Sequence, residues 1–189
     1  MKIKRFLISL LVLFLSAGTA LALDFSADSI NTSKAGKITS KIFYSKDKFR
    51  TEMTKPAQMI NIVRMDKKVM WNIMPAEKMY MELPFSLENK PRVDEKFEGE
   101  IERKHVGNEK IDGHPTKKYL VTYKVGSKKE QVYQWLATDI NFPVKTSAVD
   151  GSWTQEFKNI KMGPQAGSLF DLPKGYKKMQ MPGGMKFKK

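Results

Sequence analysis

Residues 58–83 read QMINIVRMDKKVMWNIMPAEKMYMEL, and this stretch decides the fold. Two apolar runs, Met59-Ile60-Asn61-Ile62-Val63 and Val69-Met70-Trp71-Asn72-Ile73-Met74, flank a turn at Asp66-Lys67. A second turn at Pro75-Ala76 sends the chain back through Met79-Tyr80-Met81. Short apolar runs bounded by turn signals have the length of strands rather than of helices. These runs are apolar on both faces. Such a strand lies between two layers, or keeps one face for a ligand or a lid. The region is also rich in methionine: Met53, Met59, Met65, Met70, Met74, Met79 and Met81. The flexible thioether suits surfaces that accept varied apolar partners, although Met also serves as ordinary core.

Outward from this stretch the alternation is cleaner. Phe49, Thr51 and Met53 alternate with Arg50, Glu52 and Thr54, and Tyr119, Val121, Tyr123 and Val125 with Leu120, Thr122 and Lys124. Trp153, Gln155 and Phe157 alternate with Thr154, Glu156 and Lys158. Period two marks strands with one buried face. Turn signals at Lys46-Asp47, Asp112-Gly113, Gly126-Ser127 and Asp150-Gly151 separate the runs, and Asp-Gly between alternating runs is a strong hairpin signal. Strands are expected near 24–31, 36–45, 48–55, 58–65, 68–74, 78–83, 100–109, 116–125, 130–138, 144–150 and 152–162. Many short strands with short connections predict a mainly β, antiparallel meander, closed as a sandwich or a barrel. Phe85 to Gly99 is the one long polar interruption.

The ends bound the location. Lys2, Lys4 and Arg5 precede an apolar run from Phe6 to Leu15, and Ala20-Leu21-Ala22 supplies the small-x-small pattern of a cleavage site. That order predicts a secretory signal peptide over 1–22, cut after Ala22. The apolar run is shorter than the roughly 20 residues a spanning helix needs. No Cys occurs, so the folded part relies on its core rather than on disulfides. The expected organisation is a β domain over 23–176 and a flexible Lys-, Met- and Gly-rich tail over 177–189. The formal charge is +14, of which the leader's three basic residues leave +11. A basic exported protein is drawn to an anionic membrane surface rather than to nucleic acid, and the same charge also serves solubility.

The order of motifs between Gly36 and Leu83 resembles the outer-membrane lipoprotein carrier family, the LolA-like fold. Lys41-Ile42-Phe43-Tyr44 leads through a turn to Lys48-Phe49-Arg50-Thr51-Glu52-Met53. Asp66 to Pro75 resembles the carrier's central hairpin, and Lys78-Met79-Tyr80-Met81 its return strand. Trp153 to Ile160, followed by Leu169-Phe170-Asp171-Leu172-Pro173-Lys174-Gly175-Tyr176, resembles the family's ending. The resemblance implies a strongly curved sheet of about 10–11 strands forming an incomplete, half-open barrel with little helix. It implies a hollow that holds acyl chains. The carrier's first helix and lid helices have no counterpart here, and no Arg matches its gating residue in the turn Ser45-Lys46-Asp47-Lys48. The chain looks like a shorter periplasmic branch of the fold, its hollow roofed only by 85–99.

Signals for catalysis are thin. Cys is absent, no G-x-S-x-G elbow occurs, and neither His105 nor His114 has a partner at metal-ligand spacing. The expectation is therefore a periplasmic, monomeric, non-catalytic protein without a cofactor. It would hold a lipid, an acyl chain or the lipid part of a lipidated protein in a half-barrel groove. The expected lining is Met59, Ile60, Ile62, Val69, Trp71, Ile73, Met79, Met81, Phe85 and Leu87, with Phe85 and Leu87 in the roof. One alternative is soft-metal binding, since Met179, Met181 and Met185 in the tail carry thioethers that suit Cu(I). Another is a structural or interaction module of the cell envelope.

Overall fold

The computed structural model describes residues 24–85 and 93–179. They form one twelve-stranded sheet. The first meander comprises β1 (Phe25–Ser33), β2 (Gly36–Ser45), β3 (Lys48–Met53), β4 (Met59–Arg64), β5 (Val69–Met74) and β6 (Met79–Pro84). The second comprises β7 (Glu100–Ile111), β8 (His114–Val125), β9 (Lys128–Ala137), β10 (Phe142–Ala148) and β11 (Trp153–Met162). A two-residue strand, β12 (Lys177–Lys178), follows a 3-10 turn at Gly167–Phe170.

Each meander is antiparallel, and the two are joined by β1 pairing with β11. The strand order is β12-β6-β5-β4-β3-β2-β1-β11-β10-β9-β8-β7. Its two ends, β12 and β7, do not pair, so the sheet is not closed into a barrel. The eleven expected strands are present; β12, parallel to β6, is the twelfth. Lys177 and Lys178 therefore belong to the sheet and not to a flexible tail. The leader, Leu87 and the tail beyond Met179 lie outside the described residues.

Local chemistry sets the turns. Asp112 and Gly113 both have positive φ, 49° and 88°, the backbone of a two-residue hairpin whose twist matches its strands. The main core gathers Phe25, Ala27, Ile42, Tyr44, Phe142, Val144 and Phe157 around the β1–β11 seam. Phe25 stacks on Tyr44 and meets Phe142 edge-on at 4.5 Å between ring centroids. Among the described residues no helix is long and apolar enough to cross a membrane.

Candidate functional site

Antiparallel register sets directly opposed residues on the same face, so side chains of successive strands line up in rows. One row runs Phe25, Tyr44, Phe49, Val63, Met70 and Leu83 from β1 to β6. The next runs Ala27, Ile42, Thr51, Asn61, Asn72 and Met81. This is the inner face, because its β1–β2 end belongs to the main core. Burial falls along the rows. Phe25, Ala27, Ile42 and Tyr44 are buried, whereas Met70, Asn72, Met81 and Leu83 are half-buried. Met70, Met81 and Leu83 join none of the three core clusters formed by described residues. The inner face thus begins as filled core and ends as a partly covered, methionine-lined surface. Within it, Asn61 Oδ1 is buried with no hydrogen-bond partner among the described residues. A lone buried amide oxygen is costly unless something donates to it.

The outer face of the same strands is closed. Ile62 opposes Trp71, Ile60 opposes Ile73, and Phe170 from the 3-10 turn packs onto them with no exposed surface. Leu169, Leu172 and Tyr176 complete this cluster, to which Ile60, Val69 and Tyr80 contribute from the sheet. Two arginines fix the C-terminal segment. Arg50 Nη1 donates to the Leu169 carbonyl at 2.8 Å. Arg64 Nη1 donates to the Phe170 carbonyl at 3.2 Å and to Asp171 Oδ1 at 3.0 Å. The remaining Arg64 donors, Nε and Nη2, grip Asp66 in a fork at 2.8 and 2.7 Å. Arg64 is buried, so these partners satisfy a guanidinium that would otherwise be stranded. That fork holds the Asp66 carboxyl below the usual aspartate range and raises Arg64. At the sheet edge Lys178 Nζ and Trp71 Nε1 both donate to Glu82, at 2.7 and 3.0 Å. They lower its proton affinity, with Lys178 the larger cause.

The expected lining residues therefore divide. Ile60, Ile62, Val69, Trp71 and Ile73 point to the outer face, where the chain's own C-terminal segment covers them. They line a packed interface and not a hollow, because period two sends alternate residues to opposite sides and Phe170 fills one side. Met59, Met79 and Met81 point to the inner face, together with Met53, Met70, Met74 and Leu83, which the sequence reading did not place there. The register would have grouped them, since each opposes or neighbours a residue already on that side. Phe85 is half-buried at the end of β6, its N–H bonded to the Lys68 carbonyl at 3.1 Å.

The described part of the expected roof packs against the main core and β8. Val93 is buried in the main core, and Phe97 packs on Tyr123 with ring centroids 4.9 Å apart. Arg103 holds this segment through Glu100, the Glu95 carbonyl and the buried Gln134. A crevice of about 370 Å³ lies elsewhere, between the β1–β2 and β10–β11 turns; its lining of Thr32, Ser33, Lys34, Asp150, Gly151, Ser152 and Thr154 is polar. His114 pairs with Asp139 at 2.8 Å and His105 with Asn108 at 2.9 Å. Among the described residues no group of three His, Cys, Asp or Glu could hold a metal ion.

The model of a domain of unknown function, DUF4412, matches residues 29–141, from β1 to the turn before β10. The chain belongs to the DUF4412 family. That domain covers the first meander and most of the second, and so contains the whole methionine-lined surface. It leaves out the first residues of β1, all of β10 and β11, and the C-terminal segment. No curated protein matches the chain. Among solved structures, the fold is similar to MucB crystallised in complex with MucA(peri), at 13% identity and a TM-score of 0.53. The alignment covers 80% of this chain and 55% of that one. A Pseudomonas aeruginosa MucA/MucB complex gives 14% identity and 0.53, covering 79% of this chain and 58% of that one. The DUF4412 chain thus spans a little over half the length of those chains, and the likeness is one of fold. A DUF1329 family protein from Desulfovibrio piger aligns over 80% of this chain and 91% of its own at 12% identity, but its TM-score of 0.30 is too low to bear on the fold.

Proposed function

We infer that this DUF4412 protein is a periplasmic, non-catalytic, monomeric binding protein that holds a lipid or acyl chain against the inner face of β3–β6. The observation that carries the reading is the gradient along the inner rows, from filled core at Phe25 and Ile42 to half-covered Met70, Met81 and Leu83. Methionine and leucine side chains that no described residue draws into a core cluster offer apolar surface to a ligand, and each Å² removed from water contributes about 25 cal/mol. Asn61 supports the reading, since its buried carbonyl oxygen lacks a donor that a ligand hydroxyl or amide would supply. An open sheet with one such face is the plan that the LolA-like resemblance implies. The export signal read in residues 1–22 supports a periplasmic location, and the excess of Lys supports a weak attraction to anionic membranes.

Native mass spectrometry of the full protein recovered from the periplasm tests this. A lipid-sized adduct is expected, lost in Met81→Glu while the circular dichroism spectrum stays unchanged. Wild-type protein without an adduct, together with no binding of an apolar dye, would leave the reading without support.

A second reading has one observation behind it. Among the described strands, the twelve-residue β7 is an edge strand paired only with β8, and its Ile101 is half exposed. An open edge can accept a strand from a partner protein, and the MucB structures are complexes with MucA. Bulges at Glu100/Glu102 and His105/Gly107 weigh against it, because they bend the edge away from pairing. A protein adduct in the same spectrum would favour this reading.

A further inference from the structure

The third inner row is unlike the other two. Ser29 and Ser40 begin it, and then Met53 of β3 opposes Met59 of β4. Met74 of β5 opposes Met79 of β6. The β4–β5 ladder ends at Ile60–Ile73, and Met59 and Met74 are the next residues beyond it on the two strands. Four methionines therefore stand side by side on four consecutive strands. Neighbouring strands lie about 4.8 Å apart. Each thioether ends a chain with three rotatable bonds. Sulfurs from adjacent positions in such a row can converge on one small ion.

All four are half-buried. The row ends where the strands end, beside the exposed residues 54–58 and the turn at 76–78. An ion can reach it without opening the core. Core packing alone does not ask for four thioethers in one line, since Leu or Ile fills such positions with less loss of side-chain entropy.

We propose that this row forms a thioether site for a soft monovalent cation of the Cu(I) or Ag(I) class, centred on Met59 and Met74 of the two middle strands and flanked by Met53 and Met79. Thioether sulfur is a soft donor that selects Cu(I) over harder divalent ions. The site is distinct from the tail methionines. It shares the inner face of β3–β6 with the acyl-chain reading, one row from Met81, but rests on sulfur donors rather than on apolar area. Binding is simple coordination. The sulfur lone pairs fill the ion's empty orbitals, no covalent bond breaks and no electron is transferred. No proton is released either, because a thioether carries none, unlike Cys or His ligands. Affinity is therefore flat with pH.

The test is a titration of the full-length protein with Ag(I), a redox-inert probe, in chloride-free buffer. One tight equivalent is expected. Met59→Leu/Met74→Leu should weaken it at least tenfold while the circular dichroism spectrum stays unchanged, because Leu keeps the apolar volume. Met162→Leu on the exposed end of β11 and a Met179→Leu/Met181→Leu/Met185→Leu variant should both retain it. In wild-type protein, the methyl resonances of Met53, Met59, Met74 and Met79 should shift together on adding Ag(I). That measurement decides the matter should the double variant fail to fold. Undiminished Ag(I) binding in the double variant, loss confined to the tail variant, methyl shifts elsewhere, or affinity that falls between about pH 8 and pH 5.5 as a His protonates would each overturn the site. Loss of Ag(I) binding in the folded double variant upholds the site whether or not the wild-type protein carries a lipid adduct, so the two readings fail separately.

Discussion

The two faces of β4–β6 are built from the same strands and come to opposite ends. Outside, Ile62, Trp71 and Ile73 are buried under Phe170, and two arginines fasten the covering segment by its carbonyls. Inside, Met70, Met81 and Leu83 remain half-covered and no described residue packs them into a core cluster. Composition follows this division. Shape-restricted aromatic and β-branched residues stand where one fixed partner must fit, and flexible thioethers stand where no described residue is a fixed partner. Close packing rewards the first arrangement, while adaptability suits the second.

The largest effect is expected from breaking the closed face. Phe170→Ala removes a fully buried ring and should cost about 3–5 kcal/mol in urea unfolding, with dye binding to the inner face retained. Trp71→Glu should fail to fold, whereas Met81→Glu should fold and lose the ligand. If the two Glu variants behave alike, the faces are not different in kind.

Next comes the fastening. Arg64→Ala leaves the Phe170 carbonyl without its donor and should cost about 1–3 kcal/mol, seen as a lower urea midpoint. It should also change the pH profile. Asp66 and Glu82 are held below their ordinary values of 3.8 and 4.5. Carboxyls depressed in the folded state add stability above their unfolded pKa, and that stability is lost as pH falls through the folded value. Wild-type protein should therefore lose stability on acidification below about pH 4.5. Arg64→Ala should show a shallower loss, which thermal melts at pH 3 to 7 would reveal.

On the open face, Met70→Leu should change stability by less than about 1.5 kcal/mol, since volume is conserved and no tight packing is disturbed. A larger loss would mean that the inner face is as closely packed as the outer one. The smallest effect belongs to Lys178→Ala. Its ammonium is on the surface, and the urea midpoint should not move measurably. Hydrogen exchange at the Met179 amide, bonded to the Tyr80 carbonyl at 2.8 Å, should quicken as β12 loosens.

Much of this was legible in the sequence. Period-two runs and turn residues such as Asp112-Gly113 gave eleven strands close to their observed ends, because hairpin pairing is decided by nearby residues. That residues 58–83 are apolar on both faces was equally legible. Which face is covered was not, because the cover is more than ninety residues away. Leu169 and Phe170 show as a short apolar pair near the C-terminus, but nothing local says that they reach Arg50 and Arg64. The described end of the expected roof shows the same limit: Val93 joins the main core and Phe97 packs on Tyr123 of β8, contacts that no local pattern announces.

The sequence by itself determined the strands, their turns, the alternation of side chains and the presence of two apolar surfaces, since these depend on backbone geometry and on residues a few positions apart. Tertiary structure alone decided the rest. The pairing of β1 with β11 turned two meanders into one sheet. The docking of Phe170 under Arg50 and Arg64 closed one face of β4–β6 and left the methionines of the other half-covered. Contacts between residues so distant in the chain depend on which surfaces meet when the whole chain collapses, and short-range pattern carries no record of that choice.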